Sequence, residues 1–275
     1  MLTLSLPTTI TNTLEQYCSY GRSRLEQAAI AILKKGRIPK HIGFILDGNR
    51  RFARKMGAAS TRFGHYEGLK RLDKVLELCM ELGVIEITVY AFSIENFKRS
   101  KEEVDYLMQL FRETFMDFCD NNQFIKTNDI RVQFLGDLTK LPKDVADLAR
   151  QVVNLTKNNK SRTFNICCPY TSRDEMTTAI KRNIHLVEEG QLELENVSPE
   201  SIEQRLYTST SSPLDILIRT SGEIRLSDFL LHQASRGCQI QFIDCYWPEF
   251  SLWLFFPILL EYQIYGNDSR QELGL

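Results

Sequence analysis

Short apolar and β-branched segments recur along the chain at 41–46 (HIGFIL), 85–92 (IEITVYAF), 130–135, 163–168, 214–219 and 239–243. Apolar runs of this length between turn signals are the pattern of strands covered on both faces. Between the first two, Leu69, Leu72, Val75, Leu76, Cys79 and Leu82 follow helical spacing, and Gly83 stands where a left-handed cap ends a helix. Ser100 and Glu103 make a capping-box pattern ahead of Val104, Leu107, Met108, Phe111 and Phe115. Ser198-Pro199 places a cap and a first-turn proline before another helix. Strands that alternate with helices predict an α/β protein: a single domain with a central, mostly parallel six-stranded sheet flanked by helices. No repeat or long linker divides the chain, so the expected layout is an N-terminal helical segment (1–37), the main domain (38–265) and a tail (266–275).

At 275 residues the chain is long enough to bury a large core without staples. Its 34 basic and 35 acidic side chains nearly cancel, so the molecule offers no overall footprint for nucleic acid, and any polyanion must meet a local cluster. The seven cysteines form no C-x-x-C pair and most lie in apolar runs, which suits a reducing, cytosol-facing setting. The start of the chain lacks the basic-then-apolar pattern of a secretory signal, and the longest apolar stretch, 250–260, is too short to cross a bilayer.

In an open parallel sheet, ligands bind beyond the carboxyl ends of strands. After the first predicted strand comes Asp47-Gly48-Asn49-Arg50-Arg51-Phe52, and from Asp47 to Arg62 there are five basic residues and one acid. Glycine lets backbone approach a ligand closely, a helix start offers free N–H groups, and arginine forks match phosphate oxygens. One carboxylate among these cations suits a divalent metal bridging to phosphate. The pattern is neither a P-loop nor a G-x-G-x-x-G fingerprint. The second strand runs into Ser93, Asn96 and Arg99, a turn that is either structural or functional. Arg219, Arg225 and Ser227 surround a glycine turn and offer a second anion site, and Glu249 stands among aromatic residues after the last strand.

Taken together, HIGFILDGNRRFARK, GHYEG, YAFSIENFKR, NICCPYTSRDE, DILIRTSGEIRLSDFLLHQ and DCYWPEF resemble the cis-prenyltransferase family, from about residue 39 to 250. The eukaryotic branch that includes dehydrodolichyl diphosphate synthase looks nearer, because Arg50 and Phe52 stand where bacterial members usually carry Gly and Trp. The resemblance implies condensation of isopentenyl diphosphate onto an allylic primer such as farnesyl diphosphate with cis stereochemistry, making long polyprenyl diphosphate for dolichol synthesis and protein glycosylation. It assigns catalysis to Asp47, Asn49, Ser93 and Asn96, and Mg²⁺ binding to Asp47 with Glu249. It assigns substrate diphosphates to Gly48, Arg50, Arg51, Arg62, His65, Arg99, Arg219, Arg225 and Ser227. For the proton lost in each condensation, a diphosphate oxygen, Asn49, Ser93 and water stay open. Ala91, Phe92, Leu107, Leu110, Phe111 and Phe115 are candidates for an apolar tunnel, with ordinary core packing as the alternative.

One departure changes the expected assembly. Homomeric members end in an Arg-x-Gly motif that reaches a neighbouring subunit's site, whereas this chain has Ile264-Tyr265-Gly266. The resemblance therefore implies a second subunit related to the Nogo-B receptor. It also implies peripheral contact with the cytosolic face of the endoplasmic reticulum membrane, with lipid droplets as a further location and no nucleic-acid partner. Residues 25–33, followed by Lys34, Lys35 and Arg37, form either a membrane-resting amphipathic helix or one packed on the domain. Residues 250–260 either line an interface or membrane contact or enter the core. The rival functions are a non-catalytic accessory subunit of the same fold and a phosphate-ligand binding module.

Overall fold

The structure is a computed structural model describing residues 23–120 and 123–266. Six strands form its sheet: β1 (His41–Ile45), β2 (Glu86–Tyr90), β3 (Ile130–Leu135), β4 (Arg162–Cys167), β5 (Ile216–Thr220) and β6 (Gln239–Ile243). Their order is β3-β4-β2-β1-β5-β6, and every pairing is parallel. The order places β2 on one side of β1 and β5 on the other, which makes the carboxyl end of β1 the switch point where an α/β sheet opens a crevice. Asp47 lies there.

The helices are α1 (Arg24–Leu33), α2 (Asn49–Lys55), α3 (Arg62–Leu82), α4 (Lys101–Asp120), α5 (Gln123–Thr127), α6 (Lys143–Thr156), α7 (Ser172–Glu188), α8 (Pro199–Glu203), α9 (Leu231–Ala234) and α10 (Leu252–Tyr265). The β2 strand stops at Tyr90, short of the apolar run's end, because the N–H groups of Ala91 and Phe92 both turn onto the Cys167 carbonyl. β5 begins at Ile216, just after Asp215, whose carboxylate accepts from the N–H groups of Lys40 and His41.

The larger core lies against one face of the sheet, where Phe44 meets the rings of Trp247, Phe250 and Phe255 at 5.9, 6.0 and 6.3 Å. The indole Nε1 of Trp247 donates to the Gly68 carbonyl at 2.8 Å and ties α3 to the segment after β6. Residues 250–260 mostly enter this core, with Phe250, Phe255 and Leu259 fully buried and Trp253 left exposed. α1 packs on the domain through Ala29, Ile30 and Leu33, while Gln263 donates to the Leu33 carbonyl at 2.7 Å. Residues 1–22 of the predicted N-terminal segment and 267–275 of the tail lie outside the described residues. Among the described residues no helix is long and apolar enough to cross a membrane.

Helices α2 and α3 approach so closely that side chains are excluded between them. A Cβ on Gly64 would stand 1.9 Å from the backbone oxygen of Asn49, and only displacement of α2 would relieve it. Gly64→Ala is therefore expected to lower stability by about 1–3 kcal/mol through overpacking, read as a lower denaturant midpoint. An unchanged midpoint would show that α2 yields freely.

Candidate active site

Gly48 begins the site with backbone at φ 102°, where an added Cβ would press against Tyr246 at 2.8 Å and Ser221 at 3.1 Å. Only glycine makes this turn without strain. The turn aims the Gly48 N–H at Asp47 Oδ1 (2.7 Å), while Asp47 Oδ2 accepts from Arg219 Nη2 at 2.8 Å and lies 3.4 Å from Arg51. Burial pushes the Asp47 carboxyl up, but Arg219, the Gly48 N–H and Arg51 together outweigh it and hold the group below the usual carboxylate range. It is ionised at neutral pH.

Arg219 is 3% exposed and works as a strut. Besides Asp47, its guanidinium donates to the Ser227 hydroxyl at 2.7 Å and to the Arg225 carbonyl. Those bonds hold a loop in which Ser221, Ser227 and Asp228 all adopt positive φ. The same loop presents Glu223 between Arg51 (2.9 Å) and Arg225, so one carboxylate balances two cations that face the crevice. Across the crevice, Glu103 gathers Arg99 (2.7 Å), Arg50 (3.4 Å) and His65 (3.9 Å). Ser93 and Asn96 cap a 3-10 turn at Ile94–Lys98: Ser93 Oγ accepts from the Glu95 N–H and Asn96 Oδ1 from the Ser93 N–H, each at 3.1 Å. The turn reading and the site reading thus both hold for them.

These groups line one end of a cavity of about 950 Å³. Asp47, Gly48, Asn49, Arg50, Arg51, His65, Ser93, Asn96, Arg99, Arg219, Arg225 and Ser227 all face it. Arg62 and Glu249 do not. Arg62 stacks over the Tyr106 ring at 4.8 Å, and Glu249 pairs with Lys55 at 2.5 Å, a partner 194 residues away in the chain. Residues not singled out as binding groups, Arg54 and Arg173, also reach the wall, giving seven arginines against Asp47, Glu95, Glu223 and Asp228 at the polar end. The other end is apolar. Ala91, Leu107, Leu110, Phe111 and Phe115 line it as tunnel candidates, whereas Phe92 is packed in the core.

No group of three or more His, Cys, Asp or Glu side chains converges as a metal cage among the described residues. Asp47 remains a fit for Mg²⁺, which takes one or two carboxylates and completes its shell from phosphate and water. Glu249, expected beside it, does not line the cavity and pairs with Lys55 instead.

A crevice with fixed cations at one end and apolar walls at the other holds an anionic head and a hydrocarbon tail together. Residues 45–269 match the family described as "Putative undecaprenyl diphosphate synthase". The chain belongs to this family of cis-prenyltransferases. It is 43% identical to a dehydrodolichyl diphosphate synthase complex subunit of Schizosaccharomyces pombe, covering 90% of this chain and 93% of that one. It is 44% identical to the corresponding human subunit, over 87% of this chain and 71% of that one. Lavandulyl diphosphate synthase of Lavandula x intermedia, solved with dimethylallyl diphosphate, superposes with a TM-score of 0.75 at 29% identity, over 82% of this chain and 95% of that one.

Within this cis-prenyltransferase crevice, burial pushes the His65 imidazole down to about 4; Glu103 opposes the shift, and Arg99 and Arg50 reinforce it. The ring is neutral at physiological pH. The unfolded chain takes up this proton near 6.5, so His65 costs stability as pH falls from about 6.5 to 4. His65→Gln should lose that part of the acid sensitivity in urea unfolding measured across the window. An unchanged pH slope would mean that His65 titrates normally in the fold.

Proposed function

We propose that this chain is the catalytic subunit of a cis-prenyltransferase that adds isopentenyl diphosphate to farnesyl diphosphate and elongates it to polyprenyl diphosphate for dolichol synthesis and protein glycosylation. The observation that carries the reading is the cavity itself, cationic where Asp47, Arg51, Arg99 and Arg225 meet and apolar beyond Ala91. An accessory subunit would have no use for a carboxylate held ionised by a buried arginine. A module that binds only a phosphate headgroup would have no use for the apolar half.

Each condensation breaks the allylic C1–O bond, and the electron pair leaves with diphosphate. Arg51 then stands where negative charge grows, already oriented by Glu223, so little reorganisation accompanies the step, and Arg225 on the other side of Glu223 is left for the diphosphate of isopentenyl diphosphate. The double bond of isopentenyl diphosphate attacks C1, and loss of a proton sets the new cis double bond. With Asp47 held ionised below its usual range and His65 down at about 4, the released diphosphate is the strongest base within reach. Asp47 would hold Mg²⁺, which would supply neutralisation of diphosphate charge.

The relatives named as complex subunits favour a heteromer. α10 ends in Ile264 and Tyr265, both more than half exposed, where the homomeric pattern has a cation. A second subunit related to the Nogo-B receptor would bring the missing arginine, and a water-insoluble product favours peripheral membrane contact, for which the cytosolic face of the endoplasmic reticulum is the proposed site.

Asp47→Ala is an ambiguous probe, because it strips a buried guanidinium of its carboxylate as well as removing a candidate metal ligand. Asp47→Asn keeps the shape, and it should cut elongation by at least a hundredfold, about 2.7 kcal/mol of transition-state stabilisation. Activity within tenfold of wild type would sink the assignment. Arg225, 60% exposed in its side chain, is the clean test of the second diphosphate site. Arg225→Ala should raise the KM for isopentenyl diphosphate roughly ten- to a hundredfold, as for one lost charge-assisted contact, and that for the primer less; the reverse order would exchange the two sites. The chain alone should turn over at least about a hundredfold more slowly than the co-expressed complex. Full activity from the isolated chain would refute the heteromer.

A further inference from the structure

The loop that presents Arg225 and Ser227 to the crevice runs against its own backbone preferences. Ser221, Ser227, Asp228 and Leu230 all sit at positive φ, between 45° and 83°, a region that aspartate and asparagine adopt most readily among residues other than glycine. Such backbone persists only where surrounding contacts over-determine it. Phe229 and Leu230, both fully buried, anchor the far end of the loop. Arg219 holds the near end through the Arg225 carbonyl and the Ser227 hydroxyl, and the Ser227 carbonyl accepts from the Tyr90 hydroxyl at 3.3 Å. Asp228 supplies the tie between these two ends.

Asp228 reaches the start of α7, 55 residues earlier in the chain. Its carbonyl accepts the Ser172 N–H at 2.7 Å, Oδ1 accepts the Arg173 N–H at 3.2 Å, and Oδ2 accepts Arg173 Nε at 2.7 Å. The first N–H groups of a helix have no partner within it. The hydroxyl of Thr171, which caps α7, serves the Asp174 N–H, so the two N–H groups ahead of that one are satisfied by Asp228. A reciprocal bond closes the clamp: the buried Ser172 Oγ accepts the Leu231 N–H at 2.8 Å. The Asp228 side chain is 13% exposed and lines the cavity next to Ser227. A bare carboxylate there would repel a diphosphate, and the α7 N–H groups with the Arg173 guanidinium offset its charge. What this acid contributes to an anion site is therefore the bonds it accepts.

Resting on the prenyltransferase reading, we propose that Asp228 is a positioning residue for isopentenyl diphosphate: by fastening the loop to the start of α7, it holds the Ser227 hydroxyl and the Arg225 guanidinium at the second diphosphate site. Aspartate suits the position in two ways. It tolerates φ 62°, and its carboxylate takes the α7 N–H that the helix leaves open. Without the tie, Ser227 relaxes out of its left-handed backbone and the second diphosphate loses its contacts, while the primer's contacts at Gly48 and Arg51 stay in place.

The test measures steady-state kinetics of the complex carrying wild-type chain, Asp228→Asn, Asp228→Ala or Asp228→Gly, varying isopentenyl diphosphate and farnesyl diphosphate in turn. Asparagine keeps both the backbone tolerance and an acceptor for the Arg173 N–H, glycine keeps only the tolerance, and alanine keeps neither. Asp228→Ala and Asp228→Gly should each raise the KM for isopentenyl diphosphate at least about tenfold, as for a lost charge-assisted contact, with the primer KM within about twofold of wild type. Asp228→Asn should bring the KM for isopentenyl diphosphate back to within about threefold of wild type. A wild-type KM for isopentenyl diphosphate in both Asp228→Ala and Asp228→Gly, an equal rise in the primer KM, or Asp228→Asn as impaired as Asp228→Ala overturns the assignment. Should Asp228→Ala fail to fold, Asp228→Gly, which carries no backbone strain at this position, decides with Asp228→Asn. A wild-type complex that makes no polyprenyl product fails the prenyltransferase reading and takes this assignment with it.

Discussion

The ion pair between Arg219 and Asp47 is the constraint on which the site depends. A guanidinium buried to 3% exposure is costly without a hydrogen-bonded partner, and its carboxylate lies on the neighbouring strand's exit turn. β5 carries Arg219, β1 leads to Asp47, and the pairing Ile45↔Arg219 fixes their register. The same guanidinium holds the loop through Arg225 and Ser227. One buried cation thus keeps a metal-competent carboxylate ionised and sets the geometry of the opposing anion site.

From that pair outward, the cavity changes character along α3 and α4. Near β1 its walls are guanidinium groups balanced by Glu103 and Glu223. Farther along they are leucine and phenylalanine. The first end suits an anionic head held by fixed donors, and the second suits a hydrocarbon tail. The same geometry that stabilises the leaving group therefore directs growth away from it.

Much of this was legible in the sequence, for reasons that particular residues make plain. Asp47-Gly48 at a strand end, the arginines after it and the Arg219–Ser227 turn are local signals, and the fold brings them to one crevice. Ser93 and Asn96 were legible as a turn and prove to line the crevice as well. The parts that were not legible depend on distant partners. Glu103 reads as the second half of a capping box, and its hold on Arg50 of α2 and His65 of α3 comes from the tertiary approach of α4 to both helices. Glu249 is tied to a metal only through the family resemblance, and its pairing with Lys55 comes from a partner 194 residues away.

The central claim is that one cavity binds two diphosphates and joins their carbon chains with cis geometry. The most direct measurement supplies the complex with farnesyl diphosphate and ¹³C-labelled isopentenyl diphosphate, counts diphosphate released per unit incorporated, and reads the new double bonds by NMR. The account predicts one diphosphate per unit and cis geometry at every added double bond. Trans double bonds, or incorporation without diphosphate release, would contradict it.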